Sequence, residues 1–227
     1  MKKTCVATLT AVAALSIVQT ASASVIADWT FETSQPSTAG PFSPEIGAGS
    51  ALGSHAGASV YSTPAGNGSS HSFSSTLWAV GDYYQFSVST LGLNNIGISF
   101  DQTSSNTGPG QFGLQYSTDG TTFTTFGSGY SVLANAAPNP LWNATTSSSL
   151  YTSTVDFSSV TALNNDSTVY FRLVDTSTTS ANGGVVGTGG TDRVDNFTVV
   201  SSVPEPTTLA LSGMGGLFTM LVLRRKR

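Results

Sequence analysis

The sequence predicts an all-β protein, a sandwich of two antiparallel sheets wound as a jelly roll, and three observations lead to it. Between residues 24 and 202 no stretch of ten or more residues spaces its apolar side chains by three and four, so helix is not expected there. Short runs of β-branched and aromatic residues alternate with period two instead, separated by clusters of Gly, Ser, Thr and Asn. The only cysteine is Cys5, so packing rather than disulfides must hold the strands together. About seven to ten short strands without helices suit two sheets packed face to face. An immunoglobulin-like sandwich is the alternative, because strand count alone does not fix topology.

The strands follow in chain order. Val25 to Phe31 places Trp29 and Phe31 on one face, Tyr84, Phe86 and Val88 alternate next, and Ile96, Ile98 and Phe100 follow after a turn at Gly92 to Asn95. Phe112, Leu114 and Tyr116 form another apolar face. Ser117-Thr118-Asp119-Gly120 then leads into Thr121 to Phe126, and Asp-Gly between two alternating runs predicts a hairpin. Tyr151 to Phe157 is a weaker strand candidate. Val169, Phe171 and Leu173 share a face within Thr168 to Asp175, as do Phe197 and Val199 within Arg193 to Val200. Gly40 to Ser75 and Thr176 to Thr191 fit no strand and are expected as long loops.

Both ends differ in composition from this region. Met1-Lys2-Lys3, an apolar run from Cys5 to Val18, and Ala21-Ser22-Ala23 are the charged, apolar and small-residue parts of a secretory signal peptide over residues 1–23, with cleavage expected after Ala23. The folded domain then spans 24–202 and a tail spans 203–227. In the tail, Val203-Pro204-Glu205-Pro206 precedes an apolar segment, Thr207 to Leu223, and then Arg224-Arg225-Lys226-Arg227. The apolar segment is expected as a short transmembrane helix, roughly 25 Å long at 1.5 Å per residue, with the basic end in the cytoplasm. The domain is therefore expected outside the inner membrane.

Six of the eight Lys and Arg residues lie in these two ends. Between Ser24 and Val203 only Arg172 and Arg193 are cationic against eleven acids, a net charge of −9. Such a surface repels phosphate backbones, so nucleic acid is not an expected partner.

The tail resembles the PEP-CTERM sorting signal, since Pro204-Glu205-Pro206, the apolar segment and the basic cluster occur in that family's order. The resemblance implies processing near Pro204 to Pro206 by an exosortase-type membrane protease, in bacteria that make exopolysaccharide. Through Tyr116 to Gly120 and Arg193-Val194-Asp195-Asn196-Phe197, the domain also looks like those often found ahead of such tails, which implies a jelly roll rather than an activity.

Few residues are set for chemistry. Gly108 to Gly113 satisfies G-x-G-x-x-G but precedes a strand and contains Pro109, so it reads as a turn. His55 and His71 lack metal or triad spacing and are expected on loop surface. Glu32, closing the first strand, and Asp195, on the last, are candidate ligands of a structural calcium ion. Alternatively they are solvated, or Asp195 pairs with Arg193, two residues away on the same strand face. Trp78 and Trp142 are candidate sugar-stacking rings, with Tyr61 and Tyr130, unless they prove to be packing residues. Two functions stay open: a non-catalytic envelope or matrix protein that binds exopolysaccharide, and a secreted carbohydrate-active enzyme using paired carboxylates.

Overall fold

The computed structural model describes residues 23–202, so the expected signal segment up to residue 22 and the tail from Val203, with their expected helices, lie outside the described residues. Twelve strands account for nearly all regular structure: β1 Ala23–Trp29, β2 Ile46–Gly47, β3 Gly49–Ser54, β4 Tyr61–Ser62, β5 Phe73–Thr76, β6 Tyr83–Val88, β7 Asn94–Ser104, β8 Gln111–Ser117, β9 Thr124–Ser131, β10 Thr152–Asp156, β11 Val169–Asp175 and β12 Thr191–Ser202. Two single 3₁₀ turns, Ser149–Tyr151 and Thr161–Leu163, are the only helical elements among the described residues.

The strands form two sheets, and the pairings between strands are antiparallel. The larger runs β10-β7-β12-β1-β2, with β5 also on β12 and β4 on β5, and the smaller runs β3-β6-β11-β8-β9. Setting β2 to β5 aside, β1-β12-β7-β10 faces β6-β11-β8-β9, and from β6 to β12 only the β8–β9 step stays within one sheet. This is the winding of an eight-stranded jelly roll rather than an immunoglobulin-like order.

Period-two patterning is what lets the sheets face each other. In β6, Tyr84, Phe86 and Val88 are buried while Tyr83, Gln85 and Ser87 are half-buried; β11 repeats the pattern with Val169, Phe171 and Leu173. Between the sheets, Phe86 of β6 stacks flat on Phe197 of β12 with centroids 3.5 Å apart. Trp29 of β1 meets both edge-on at 5.3 and 6.0 Å. Offset and edge contacts of this kind add about 0.5–1.5 kcal/mol each beyond burial.

The stretch Gly40 to Ser75, expected as loop, contains β2 to β5. Its strands were hidden because β3 reads Gly-Ser-Ala-Leu-Gly-Ser, a composition depleted in strands. Thr176 to Thr191 is a connection pinned by two isolated bridges, Thr179 with Val185 and Pro109 with Ser180. Ala23, the expected cleavage residue, opens β1 opposite Ser202 at the end of β12.

Candidate functional site

The residues singled out from sequence do not assemble into one site. Trp78 and Trp142 are 6% and 4% exposed. The Trp78 ring lies among His55, Tyr84 and Phe112, and its Nε1 donates to Ser75 O. Trp142 packs edge-on against Tyr151 and donates to Ala65 O. Buried on these contacts, neither indole is open for a sugar, so the stacking expectation is corrected for both. Tyr61 and Tyr130 are half-buried core neighbours.

Glu32 and Asp195 both hold the loop of residues 66–71, at different points. Glu32 Oε1 accepts the His71 N–H. Asp195 accepts Asn67 N–H and Ser69 Oγ–H on Oδ2 and Asn196 N–H on Oδ1. Asp101, its partner across the β7–β12 ladder, accepts Asn67 Nδ2, Asn196 Nδ2 and Thr152 Oγ1. A shell of hydrogens pointing at both carboxylates does not suit a calcium ion, and among the described residues no group of three His, Cys, Asp or Glu is placed to hold a metal. The alternative Arg193–Asp195 ion pair does not form either, because the loop supplies Asp195 with its partners; among the described residues the only such contact is between His55 and Asp82. Burial, helped by the Asp101 charge, raises the Asp195 pKa to about 7.

His55 and Asp82 belong to a constellation that spacing did not reveal, and His55 is buried rather than on loop surface. Its Nδ1 lies 2.9 Å from Asp82 Oδ2, with both side chains 1% exposed, and its Nε2 lies 3.1 Å from Ser75 Oγ. The order Asp, His, Ser is that of a hydrolytic triad, yet Ser75 is wholly buried, and its Oγ also lies 3.2 Å from Tyr84 Oη, which donates to the carbonyl of Asp192.

The network continues inward. Asp192 accepts Gln102 Nε2 and contacts Ser104 Oγ, while Tyr130 donates to Gln102 Oε1. Ser104 Oγ lies within donating distance of both Pro109 O and Asp192 Oδ2. Burial pushes the Asp192 pKa well up, against the hydrogen bonds from Gln102 and Ser104. The buried polar groups thus knit the sandwich together.

The outer face of the smaller sheet is different. Cross-strand partners align Leu52, Gln85, Arg172, Gln115 and Thr125 in one row across all five strands, roughly 19 Å long at about 4.8 Å per strand. At its centre the Arg172 guanidinium carbon lies 3.9 Å from the Tyr83 ring centroid and 3.3 Å from that of Phe123, and Nε donates to Gln85 Oε1 at 2.8 Å. Phe123 sits on the β8–β9 loop, edge-on to Tyr170 at 6.4 Å. Asp119 holds that loop by accepting the N–H groups of Thr121 and Thr122, which keep its carboxyl well below the usual range. Gly120, at φ +70°, lies so close to Tyr170 that a Cβ would stand 2.9 Å from the ring. The only acid within the five strands is Asp175, buried at the end of β11. Half-buried aromatics, two amides and a cation therefore share a face whose strands present no outward carboxylate, on an acidic domain. Sequence reasoning missed this row because Gln85, Arg172, Gln115 and Thr125 are the polar half of each alternation and Leu52 lies on β3, a strand that was expected as loop.

Taken together, a jelly-roll domain followed directly by a sorting tail defines an exported all-β protein. Residues 202–227 match the family model for the PEP-CTERM protein-sorting motif. That motif marks the chain as exported across the membrane toward the cell surface and as a substrate of an exosortase membrane enzyme. No curated protein matches the chain. Among solved structures it is similar to the K2 cleaved adhesin domain of Lys-gingipain, at 15% identity over 77% of this chain and 99% of that one, TM-score 0.45. It is also similar to the K1 domain of Lys-gingipain from Porphyromonas gingivalis W83, at 12% identity over 76% and 95%, TM-score 0.43. A third, TmCBM61 in complex with β-1,4-galactotriose, matches at 11% identity over 66% and 86%, TM-score 0.36.

Proposed function

We propose that the protein is a non-catalytic envelope or matrix component that is sorted through its tail and binds exopolysaccharide on the outer face of the smaller sheet. The observation that supports the binding half is the five-strand row centred on Arg172. Aromatic faces suit the C–H faces of pyranose rings, and amide and guanidinium groups suit hydroxyls. The row is long enough for roughly three or four sugar units at about one per strand spacing. Two features support the non-catalytic half: the Ser75–His55–Asp82 constellation is closed to substrate, and the Asp101–Asp195 carboxylates lie under the 66–71 loop with their oxygens engaged.

A glycan array probed with the full-length chain in mild detergent, run beside reducing-end release on the same glycans, tests both halves. Binding without release is expected, and Tyr170→Ala should weaken it at least tenfold. Release of reducing ends would establish the enzyme reading instead, and absence of binding to any glycan would remove the polysaccharide half.

A further inference from the structure

The charge on this face specifies the ligand further, resting on its reading as a glycan site. Arg172 is one of two cations facing eleven acids in the domain. Among the described residues no carboxylate lies within 4 Å of it, and its sole hydrogen bond runs from Nε to Gln85. The two Nη groups, four N–H donors, are therefore unspent. Two aromatic rings hold the guanidinium plane in place, so little side-chain freedom is lost when those donors are used. Gln85 and Gln115 flank it on the adjacent strands, and Asp119, the acid of the neighbouring loop, is turned onto its own backbone.

A planar, fixed, carboxylate-free guanidinium matches a planar carboxylate in two-point contact. We propose that the face selects an acidic polysaccharide, with the carboxylate of a uronic acid unit on Arg172, the ring of a neighbouring unit on Tyr170, and Gln85 and Gln115 on hydroxyls. The overall negative charge of the domain then acts as a filter. It weakens long-range attraction of any polyanion, so only a chain whose carboxylate reaches Arg172 gains from its charge.

The full-length chain in non-ionic detergent is titrated calorimetrically with a galacturonic acid tetramer and with the same tetramer after carboxyl reduction, which is neutral. The acidic tetramer should bind at least tenfold tighter, with a preference that shrinks as salt rises. Arg172→Gln should erase the preference, so that the two tetramers bind alike. Arg172→Lys keeps a cation between the rings and removes the fork, so it should lose at least threefold of the preference; if Arg172→Gln does not fold, as judged by circular dichroism, this variant decides. Equal binding of the two tetramers, or a preference that survives both substitutions, overturns the proposal. If binding is then still lost with Tyr170→Ala, the face remains a glycan site without charge selection. If neither tetramer binds, the proposal fails, and a wild-type array that is negative for neutral glycans too would take the glycan reading with it.

Discussion

Asp195 shows how a single buried acid can set the response of the molecule to pH. Its pKa rises to about 7 and that of Asp175 to about 6, in both cases chiefly through burial. An unfolded chain releases these protons near pH 4, whereas the folded chain keeps them until pH 6 or 7. The folded state binds more protons across that window, so stability falls as pH rises through it. Asp119 and Asp156 are shifted downward and act in the opposite sense, below about pH 4. For Asp195 the shift corresponds to at most about 4 kcal/mol at about 1.4 kcal/mol per unit, or roughly 10 °C of melting temperature. Melting followed from pH 4 to pH 8 should show this decline. Asp195→Asn takes on no charge as pH rises, so its melting temperature should decline less steeply. An equal slope in both proteins would remove Asp195 from the account. Nothing in the sequence signalled that shift, because it depends on burial under a loop 126 residues away in the chain and on Asp101 arriving opposite, with the Ser69 hydrogen bond acting against it.

At the scale of the element, strands with large alternating side chains were legible and strands of small ones were not. Tyr84, Phe86 and Val88 announced β6, and Val169, Phe171 and Leu173 announced β11. β3 has inward positions Gly49, Ala51 and Gly53 because large rings from elsewhere already fill its space. A Cβ on Gly49 would stand 2.9 Å from the Trp29 indole, and one on Gly53 2.5 Å from the Tyr61 ring. Gly53→Val should therefore overpack the site and cost about 1–3 kcal/mol, read as a lower urea midpoint with an unchanged m-value. An unchanged midpoint would show that Tyr61, which is half-buried, swings aside. The hairpin at Asp119-Gly120 was legible as a hairpin but not in its register. Asp119 caps two successive N–H groups, so the loop runs on to Phe123 and β9 starts at Thr124 rather than Thr121. That longer loop is what delivers Phe123 to Arg172, and an Asp-Gly signal alone does not foretell it.

At the scale of the whole molecule, the jelly-roll winding leaves the first and last strands side by side, with Ala23 opposite Ser202. The sorting motif starts where β12 ends, at residue 202. Replacing Pro204-Glu205-Pro206 by alanines should leave full-length protein in the inner-membrane fraction, detected by fractionation and immunoblotting; processing and location like those of the wild type would refute exosortase recognition of that segment. The same placement has a mechanical consequence. Antiparallel ladder bonds lie perpendicular to the strands, so tension applied through the tail to Ser202 runs along β12 and loads its bonds to β1 and β7 in shear. Bonds in shear share the load and must fail together, whereas a strand peeled from an edge loses them one by one. The candidate glycan face is on the other sheet, so a force between a held tail and a bound polymer crosses the molecule through the aromatic stack of Phe86 and Phe197. The strand that carries the sorting tail is in this way also the one best placed to resist being pulled out by it.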